Sequence, residues 1–506
     1  MCGIAGYFGP HADVDTVKQM LATMLHRGYS SYEIKKDGST YVSGANRLQI
    51  VDRENASQPL SSHDGRYLLT FNGEIYNFRE LKCELEEKGV PFDTSSDTEV
   101  LANGLAAWGI DHLLDKISGM YAFAAWDKSE QRLMLARDPM GIKPLYYAEN
   151  EGTLLFASEI KSVLRAVPGS RIKHLQPGYY LAVNSEAQQI RPHFSLPEKL
   201  PVPNDSIGSN TSTLRRAISS AVQQRVATDL PVAVLFSGGI DSSIILYETL
   251  QHHKDVTAFV IGCADAPDVQ SAKRFCEGFD IELVHIPFTV DDALAHIEKT
   301  IIAIETFEPN HIRAGVASYA LAEHIKNRGF RVALCGEGAD ELFLGYPEFA
   351  AMIKYGETED AVHKRQLKFL SDLHRTQLQR VDRTGMAHTL EIRTPFLDLN
   401  VLKVAFALSF HDKLRQQNEK KVWNDKWVLR EAYRGLLPDW VVDREKCVLS
   451  EGAGLGANGP EGPFFNHCIG KITEETIKQL QQQHPEYQLQ DAEEATYFQV
   501  FWKHFP

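Results

Sequence analysis

The sequence predicts two domains of different fold class, an α+β domain followed by an α/β domain. In the first half, short apolar or alternating strands are separated by amphipathic helices, and stacked sheets between layers of helices satisfy that pattern. In the second half, strands and helices alternate, which is typical of a doubly wound parallel sheet. The 506 residues suffice for two or three domains. The strands expected in the first half are Tyr67–Phe71, Met120–Trp126, Leu133–Ala136 and Leu154–Ala157, and the helices are Val14–Leu25, Phe78–Lys88 and Glu99–Ala107.

Composition excludes several functional classes. A net charge of −14 argues against general nucleic-acid binding and against docking on anionic membranes. The chain shows neither an apolar run of membrane-spanning length nor the start of a signal peptide. Its seven cysteines are odd in number and lack paired metal-ligand spacing, which favours a reducing compartment without disulfides or zinc. We therefore expect a cytoplasmic protein that binds neither nucleic acid nor membrane. Its oligomeric state stays open, a homodimer included.

The second residue is a candidate nucleophile. Removal of Met1 would make Cys2 the N-terminal residue, and its α-amino group, whose pKa lies near neutrality, could then accept the thiol proton. Since the thiolate is the attacking species, one residue would supply both nucleophile and base. A Cys that merely happens to follow Met1 is the alternative, and the motifs farther along the chain favour the nucleophile.

Four motifs follow in the first half, at residues 47–51, 72–77, 96–100 and 137–146. In this order they resemble the N-terminal-nucleophile glutamine amidotransferase domain, in the version attached to asparagine synthetase. The resemblance implies αββα layering with antiparallel sheets and a site that hydrolyses glutamine.

The residues in these motifs suit glutamine chemistry. A guanidinium such as that of Arg47 can bind an amino-acid carboxylate through two hydrogen bonds. Asn72 and the backbone N–H of Gly73 can form an oxyanion hole for the tetrahedral intermediate. Glu74 and Asp97 would hold the ammonium and amide ends of the substrate; a surface charge at Arg47 and a helix cap at Asp97 are the alternatives. The glutamine-binding residues that the resemblance implies are Arg47, Val51, Asn72, Gly73, Glu74 and Asp97.

A proline-rich stretch separates the two halves. Pro197, Pro201 and Pro203 stand among Asp, Ser, Gly and Asn residues, a composition typical of a linker. We predict a first domain over residues 1–195, a linker over 196–210 and a second domain over 211–506, with a helix-rich C-terminal part.

The second domain begins with a predicted phosphate-binding loop. Residues 232–236 are apolar and predict a strand, and an apolar, helix-compatible run follows Ser243. Between them, Ser237, Gly238 and Gly239 leave backbone N–H groups open at a helix N-terminus, which favours a polyphosphate. Asp241, beside Ser242, suits Mg²⁺ rather than phosphate. A glycine turn without a ligand is the alternative. The loop resembles that of enzymes which split ATP into AMP and pyrophosphate.

A second motif follows a later strand of the same sheet. The order of elements predicts strands at Val256–Ile261, Glu282–Ile286 and Arg331–Leu334 and helices at Val269–Cys276, Asp291–Ile302 and Gly315–Lys326. Ligands of such sheets bind beyond the carboxyl ends of the strands. Residues 335–341, which follow the strand at 331–334, therefore lie at the same edge as the loop at 237–243.

Residues 335–341 resemble a motif of asparagine synthetase, and residues 390–398, 426–430 and 444–446 match further motifs. The resemblance implies that Asp340 shares Mg²⁺ with Asp241, that Glu337 orients or deprotonates ammonia, and that Lys446 and Arg393 neutralise phosphate charge. For Arg393 a buried structural pair is an equal alternative. The ATP and pyrophosphate residues that it implies are Leu235, Ser237, Gly238, Gly239, Asp241, Ser242, Ile261, Cys335, Gly336, Arg393 and Lys446, and the Mg²⁺ ligands are Asp241 and Asp340.

Departures from the family pattern concentrate at residues 309–315. Asn310 and His311 stand where two threonines are usual, while Arg313 is retained. We predict that Arg313 binds an anionic group of the acceptor and that Asn310 and His311 select the remainder. His311 taken alone is more often a structural histidine. Leu344 also stands where a glycine is usual.

The resemblance implies a glutamine-dependent amidotransferase. Cys2 would hydrolyse glutamine, ammonia would travel through the interior, and the second domain would adenylate a carboxylate with Mg²⁺ and ATP and form the amide. The default acceptor is aspartate, and another carboxylate of a specialised biosynthetic pathway is the alternative. β-Lactam synthetase-like enzymes typically lack the N-terminal Cys and carry Tyr where Glu337 stands, and a regulator without activity would have lost Asp241, Asp340 or Cys2.

Overall fold

The computed structural model describes residues 1–28, 32–150, 152–197, 207–416, 423–447, 449–456 and 462–506. The chain divides into two compact units. The first comprises Met1–Pro197 and Ser371–Asp382, and the second comprises Glu198–Leu370 and Arg383–Pro506. The segment Ser371–Asp382 thus packs with the first unit although it lies within the predicted second domain. Most of the predicted linker, at residues 198–206, lies outside the described residues.

Within the described residues, the first unit has two six-stranded sheets, both antiparallel where the pairing is given. Their orders are β10-β8-β9-β1-β3-β2 and β12-β11-β7-β6-β5-β4. The strands are β1 Cys2–Phe8, β2 Glu33–Asp37, β3 Tyr41–Arg47, β4 Leu60–Ser61, β5 Tyr67–Ile75, β6 Gly119–Asp127, β7 Arg132–Arg137, β8 Tyr146–Asn150, β9 Thr153–Ala157, β10 Lys173–His174, β11 Tyr179–Val183 and β12 Gln188–Pro192. The helices of residues 1–197 are α1 Val14–Ala22, α2 Phe78–Glu87, α3 Asp97–Lys116 and α4 Ile160–Ala166.

The predicted αββα layering is confirmed. Successive side chains of a strand point to opposite faces, so each sheet has one face toward the other sheet and one toward helices. The inner faces share one core, in which the ring of Tyr41 stacks on Trp126 with centroids 4.9 Å apart. Helices α2 and α3 cover the outer face of the sheet that contains β5, and α1 and α4 cover the outer face of the other sheet.

The second unit contains a five-stranded parallel sheet, as predicted, in the order β15-β14-β13-β16-β17. The strands are β13 Val232–Leu235, β14 Val256–Gly262, β15 Leu283–Pro287, β16 Val332–Leu334 and β17 Glu391–Arg393, with a small hairpin of β18 Arg415–Gln416 and β19 Trp423–Asn424. The chain builds one side of β13 before the other, which places a topological switch point, the usual position of a ligand, at the carboxyl end of β13.

The remaining helices surround this sheet or follow it. They are α5 Ile207–Arg225, α6 Ile240–His252, α7 Pro267–Phe279, α8 Val290–Ala295, α9 Ile297–Ile304, α10 Pro309–Asn327, α11 Ala339–Leu342, α12 Pro347–Lys354, α13 Glu359–Asp372, α14 Gln377–Met386, α15 Leu399–Ala407, α16 Phe410–Lys413, α17 Trp427–Tyr433, α18 Asp439–Val442, α19 Leu449–Gly452, α20 Pro463–Ile469, α21 Glu474–Gln483 and α22 Ala492–His504. Among the helices described, none is long and apolar enough to cross a bilayer.

Some predicted helix boundaries differ from the observed ones. The helix predicted from Gly315 begins at Pro309, because proline is favoured in the first turn and Glu308 caps the backbone N–H of His311. Residues 309–315 are therefore helical. The helix predicted over 291–302 is two helices, α8 and α9, which meet at His296.

Candidate active sites

Cys2 lies at the start of β1, on the inner face of its sheet, and is 4% exposed. The alternation along β5 turns Phe71 outward to the helices and Asn72 inward. Asn72 Oδ1 accepts a hydrogen bond of 2.9 Å from the backbone N–H of Cys2. Two residues that are far apart in the sequence are thus brought together by strand periodicity.

The predicted oxyanion-hole donors lie beside Cys2. With Asn72 Oδ1 accepting from Cys2, the buried Nδ2 of Asn72 has no hydrogen-bond partner among the described residues. Gly73 pairs with Tyr121 of β6. The backbone of Tyr121 bonds to Asp138 and not to β5: its N–H donates to the Asp138 carboxylate, and its C=O accepts from the Asp138 N–H. The N–H of Gly73 therefore points away from β6. The buried amide of Asn72 and the half-buried N–H of Gly73 are therefore available for an oxygen that gains negative charge.

Gln58 is a site residue that the sequence analysis missed. Its Nε2 lies 3.8 Å from Cys2 Sγ, and its Oε1 accepts a 2.7 Å hydrogen bond from the N–H of Phe71. The Oδ2 of Asp97 accepts from the N–H of Ile75 on the same edge of β5, at 3.1 Å. The two side chains flank the N–H of Gly73, which lies between Phe71 and Ile75 on that edge. A single Gln in a loop carries no spacing signal that would reveal this role.

The other predicted glutamine ligands surround the same edge. The Arg47 Nη2 atom donates to the carbonyls of Val51 and Asp52 at 2.8 and 2.6 Å, so Arg47 also orders the loop that carries Val51. Glu74 is buried beside Gly73. Asp97 does not cap its helix, since Ser96 does so. The arrangement keeps all six predicted glutamine-binding residues near one end of β5 and β3.

In the second unit, the predicted phosphate loop follows β13 and opens α6. Gly238 has a φ of +67°, and a Cβ there would lie 2.6 Å from Ser271 Oγ, so this position requires glycine. The hydroxyl of Ser242 accepts from the N–H of Ser237 at 3.2 Å and closes the turn. The turn ends at the N-terminus of α6, whose unpaired N–H groups and dipole favour an anion.

Asp241 and Asp340 meet at the side chain of Lys426. Lys426 Nζ lies 2.5 Å from Asp241 Oδ2 and 2.7 Å from Asp340 Oδ1, and its side chain is 1% exposed. Lys446 Nζ lies 2.5 Å from Asp340 Oδ2. Asp241, Asp340, Lys426 and Lys446 thus form one network of ion pairs at this edge of the sheet.

The pKa shifts reflect this crowding. Burial opposes ionisation of Asp340, but Lys426 and Lys446 outweigh it and hold the pKa of that carboxyl below its ordinary value. Burial raises the pKa of Asp241. Burial also opposes the charged form of Lys446, yet attraction by Asp340 and Asp241 raises the pKa of its ammonium group. The site is therefore poised to exchange its internal ion pairs for contacts with a charged ligand.

The donor set fits a divalent cation. Asp241 Oδ1 is buried and has no hydrogen-bond partner among the described residues. Two carboxylates are what Mg²⁺ takes from a protein when phosphate oxygens and water complete its octahedron. Among the described residues, no group of three or more His, Cys, Asp or Glu side chains is arranged so that it could hold a metal ion.

Close backbone approach makes the cluster possible. A Cβ on Gly336 would lie 2.9 Å from the Cβ of Asp241. A Cβ on Gly345 would lie 2.1 Å from Lys426 Cε and 2.2 Å from Asp340 Oδ1. The preceding residue, Leu344, has a φ of +57°, in the left-handed region that favours glycine. This conformation explains why glycine is the usual residue at that position.

Gly345→Ala should therefore reduce pyrophosphate release by about 100-fold, because the methyl group displaces Lys426 and Asp340 from a preorganised electrostatic site. Glutamine hydrolysis by the same protein should be unchanged. The matched control is Gly278→Ala, where a Cβ meets nothing within 4 Å. Wild-type pyrophosphate release from the Gly345 variant would show that the close approach is not required.

Four of the predicted ATP-binding residues lie at neighbouring strand ends. Leu235 ends β13, Ile261 lies near the end of β14, and Cys335 and Gly336 follow β16. These three strands are adjacent, with β13 in the centre. Glu337 lies in the same loop as Cys335 and Gly336 and contributes to the raised pKa of Lys446.

The prediction for Arg393 does not fit the structure. Its guanidinium is 2% exposed, donates to Glu391 Oε1 at 2.7 Å and to the carbonyl of Arg225 at 2.5 Å. This is the buried structural pair that was the alternative to phosphate binding. Arg444, which was not assigned a role, instead contacts the phosphate loop, because its Nη1 donates to the carbonyl of Ser237 at 3.0 Å.

Arg313 is also placed differently from the prediction. Its Nε and Nη2 donate to Glu493 of α22 at 2.9 and 2.5 Å, and its Nη1 donates to Asn310 Oδ1 at 3.2 Å. A bidentate carboxylate already compensates the charge that was expected to bind the acceptor. Asn310 and His311 lie in the first turn of α10, and their predicted role as selectors stays a prediction.

Family models match both halves of the chain. Residues 1–196 match a family model described as a glutamine amidotransferase domain, and residues 213–356 and 351–458 match one described as asparagine synthase. A glutamine-hydrolysing asparagine synthetase of Lotus japonicus is 28% identical over 100% of this chain and 86% of its own length. Those of Oryza sativa and Arabidopsis thaliana are 30% and 31% identical, over 100% and 90% of this chain and 86% and 79% of their own lengths.

Proposed function

The chain belongs to the glutamine-hydrolysing asparagine synthetase family and forms an amide with glutamine as nitrogen donor, and we propose that Cys2 releases the ammonia and that aspartate is the acceptor. The relatives are named as asparagine synthetases, which supports aspartate. The observation that supports activation of the acceptor by ATP is that Asp241 and Asp340 meet at Lys426, at the carboxyl edge of the parallel sheet.

The surroundings of Cys2 support its proposed role in glutamine hydrolysis. Asn72 Oδ1 lies 2.9 Å from the Cys2 nitrogen while Met1 is in place. Once Met1 is removed, the same oxygen orients the free α-amino group that accepts the thiol proton. The thiolate attacks the amide carbon of glutamine, and the Asn72 amide and the Gly73 N–H stabilise the oxyanion. The amine returns its proton to the leaving nitrogen, ammonia departs, and water hydrolyses the thioester to glutamate.

Acceptor activation uses the second unit. Asp241 and Asp340 would hold Mg²⁺, which neutralises phosphate charge when bound. The acceptor carboxylate attacks the α-phosphorus of ATP and pyrophosphate leaves, while Lys446 and Lys426 offset the negative charge that develops. Ammonia then attacks the acyl carbon, with Glu337 as the group that orients it or takes its proton, and AMP leaves.

The cysteines of the described residues form no disulfide, which supports a reducing compartment. All seven cysteines lie within the described residues and are free, and Cys2, Cys276, Cys335 and Cys468 are buried. Because free thiols persist in a reducing environment, we place the reaction in the cytoplasm.

The acceptor is tested by pyrophosphate release with a panel of carboxylic acids, ammonium and Mg²⁺-ATP. Aspartate should support the fastest release. Arg313→Ala should leave the KM for aspartate within about twofold but lower the free energy of unfolding by about 3–5 kcal/mol, since it leaves Glu493 buried and unpaired.

Glu493→Gln is the matched control for that variant, because it breaks the same ion pair from the other side. A rise in the KM for aspartate in Arg313→Ala alone would show that the guanidinium does bind the acceptor. Faster release with another acid, altered by Asn310→Thr with His311→Thr, would overturn aspartate as the acceptor.

A further inference from the structure

Arg27 connects the backbone of the nucleophile to a buried charge network. It lies in the short 3₁₀ turn Leu25–Arg27, is 0% exposed, and donates from Nε to the carbonyl of Cys2 at 3.1 Å. A Cβ on Gly3 would lie 3.4 Å from both Cβ and Cδ of Arg27, so the arginine stem runs alongside the start of β1. The position of the guanidinium therefore sets the position of the Cys2 carbonyl, one bond from the Cα that carries the thiol.

The guanidinium is held by a carboxylate from much later in the chain. Asp382 Oδ2 accepts from Arg27 Nη1 at 2.9 Å and Asp382 Oδ1 accepts from Arg27 Nη2 at 3.2 Å. Such a fork fixes the plane of a guanidinium as well as its distance. Glu159 Oε1 accepts a further hydrogen bond from Nη1 at 2.9 Å. The plane of Arg27 is therefore determined mainly by Asp382.

Asp382 is also a shared counter-ion. Lys143 Nζ lies 3.3 Å from Asp382 Oδ1, and the side chains of Lys143 and Asp382 are 1% and 3% exposed. Removing the charge of Asp382 would leave two buried cations, Arg27 and Lys143, with one fewer anion between them. The guanidinium would then be free to turn toward Glu159 and to release the Cys2 carbonyl.

The segment that carries Asp382 also packs against the first unit through His374. His374 Nε2 lies 3.3 Å from His174 Nε2, with the two rings edge to face and their centroids 4.8 Å apart. Gly141 allows this contact, since a Cβ there would lie 2.8 Å from the Cβ of His374. The segment Ser371–Asp382 therefore contacts the first unit at two points, at His374 and at Asp382.

We propose that Asp382 is a positioning residue for glutamine hydrolysis, which acts through Arg27 on Cys2. The inference rests on the proposed role of Cys2. It means that the site of glutamine hydrolysis depends on the segment Ser371–Asp382, which in sequence lies between the two stretches of the second unit. Asp382 reaches Cys2 through Arg27, so its effect is on the geometry of the nucleophile.

The test uses the full-length protein with Asp382→Asn. A diazoketone analogue of glutamine that alkylates the nucleophile counts competent Cys2 sites, and kcat for glutamine hydrolysis is expressed per titrated site. We expect kcat to fall by about 10–100-fold, the usual consequence of a small misplacement of a reacting group, with KM within about threefold. Ammonia-dependent pyrophosphate release should stay within about twofold of wild type, which shows that the second unit is intact.

Two further variants separate positioning from folding. Asp382→Glu retains the carboxylate and should lose less activity than Asp382→Asn, with an expected loss below about tenfold. It carries the test if the Asn variant does not fold. Asp372→Asn removes an acid of the same segment that pairs with the exposed Arg375, and should leave kcat unchanged.

A purely structural role predicts lower thermal stability with an unchanged kcat per titrated site, and that result would overturn the proposal. Wild-type protein without glutaminase activity, or Cys2→Ala with full activity, would instead contradict the role of Cys2 on which the proposal rests. The two failures are therefore distinguishable.

Discussion

Cys2→Ala should abolish glutamine-dependent amide formation, by at least roughly 10⁴-fold, while ammonia-dependent formation persists near the wild-type rate. The side chain provides the attacking sulfur, and Gln58 and Asn72, which hydrogen-bond to Cys2, are amides that cannot replace it. Free ammonia bypasses this step, because the activation of the acceptor takes place in the second unit. The measurement is amide formation with glutamine and with ammonium salts as alternative nitrogen donors.

Cys83→Ala is the control for this variant, since Cys83 is free but exposed and lies on α2. It should retain both activities. Glutamine-supported turnover by purified Cys2→Ala would show that another residue is the nucleophile.

Asp241→Asn and Asp340→Asn should each reduce pyrophosphate release by about 10²–10³-fold, with glutamine hydrolysis unchanged. Each substitution removes a charged ligand that Mg²⁺ would need, and each leaves Lys426 with one fewer of its two carboxylate neighbours. Both effects disturb the balance of charge around the triphosphate. Initial rates of pyrophosphate release over a range of Mg²⁺ concentrations provide the measurement.

Asp255→Asn, at an exposed position just before β14, is the matched control and should release pyrophosphate normally. If either Asp241→Asn or Asp340→Asn behaved like this control, the metal would have to be held by other residues.

The fold was predictable where it depends on periodicity. Alternating or apolar residues identified four strands of the first unit, β5, β6, β7 and β9, and the strand–helix alternation identified the parallel sheet of the second. Motifs placed after strands were also predictable as neighbours, because the carboxyl ends of parallel strands share one edge. The loop at 237–243 and residues 335–341 meet in this way, and Asp241 and Asp340 share Lys426.

The partners of cations were not predictable in the same way. A guanidinium can be neutralised by phosphate or by a buried carboxylate, and the sequence distinguishes these only when the carboxylate is close in the chain. Glu391 and Arg393 are two residues apart on one strand and therefore share a face, a local spacing that permits the structural pair. Glu493 is 180 residues from Arg313, and no local pattern connects them.

The departure at Leu344 shows the value of a single unusual residue. Its φ of +57° lies where a side chain costs about 1–2 kcal/mol, and the residue is 2% exposed in a small apolar cluster. The sequence marked the position as one where glycine is usual but could not supply the reason, which is the turn that brings Gly345 against Lys426 and Asp340.

Transfer of labelled nitrogen tests the central claim most directly. The full-length protein is incubated with glutamine labelled with ¹⁵N in the amide group, aspartate, ATP and Mg²⁺, and the products are measured by mass spectrometry and nucleotide analysis. We predict asparagine with ¹⁵N in its amide, together with equal amounts of AMP and pyrophosphate. Unlabelled asparagine, or ADP and phosphate in place of AMP and pyrophosphate, would contradict the account.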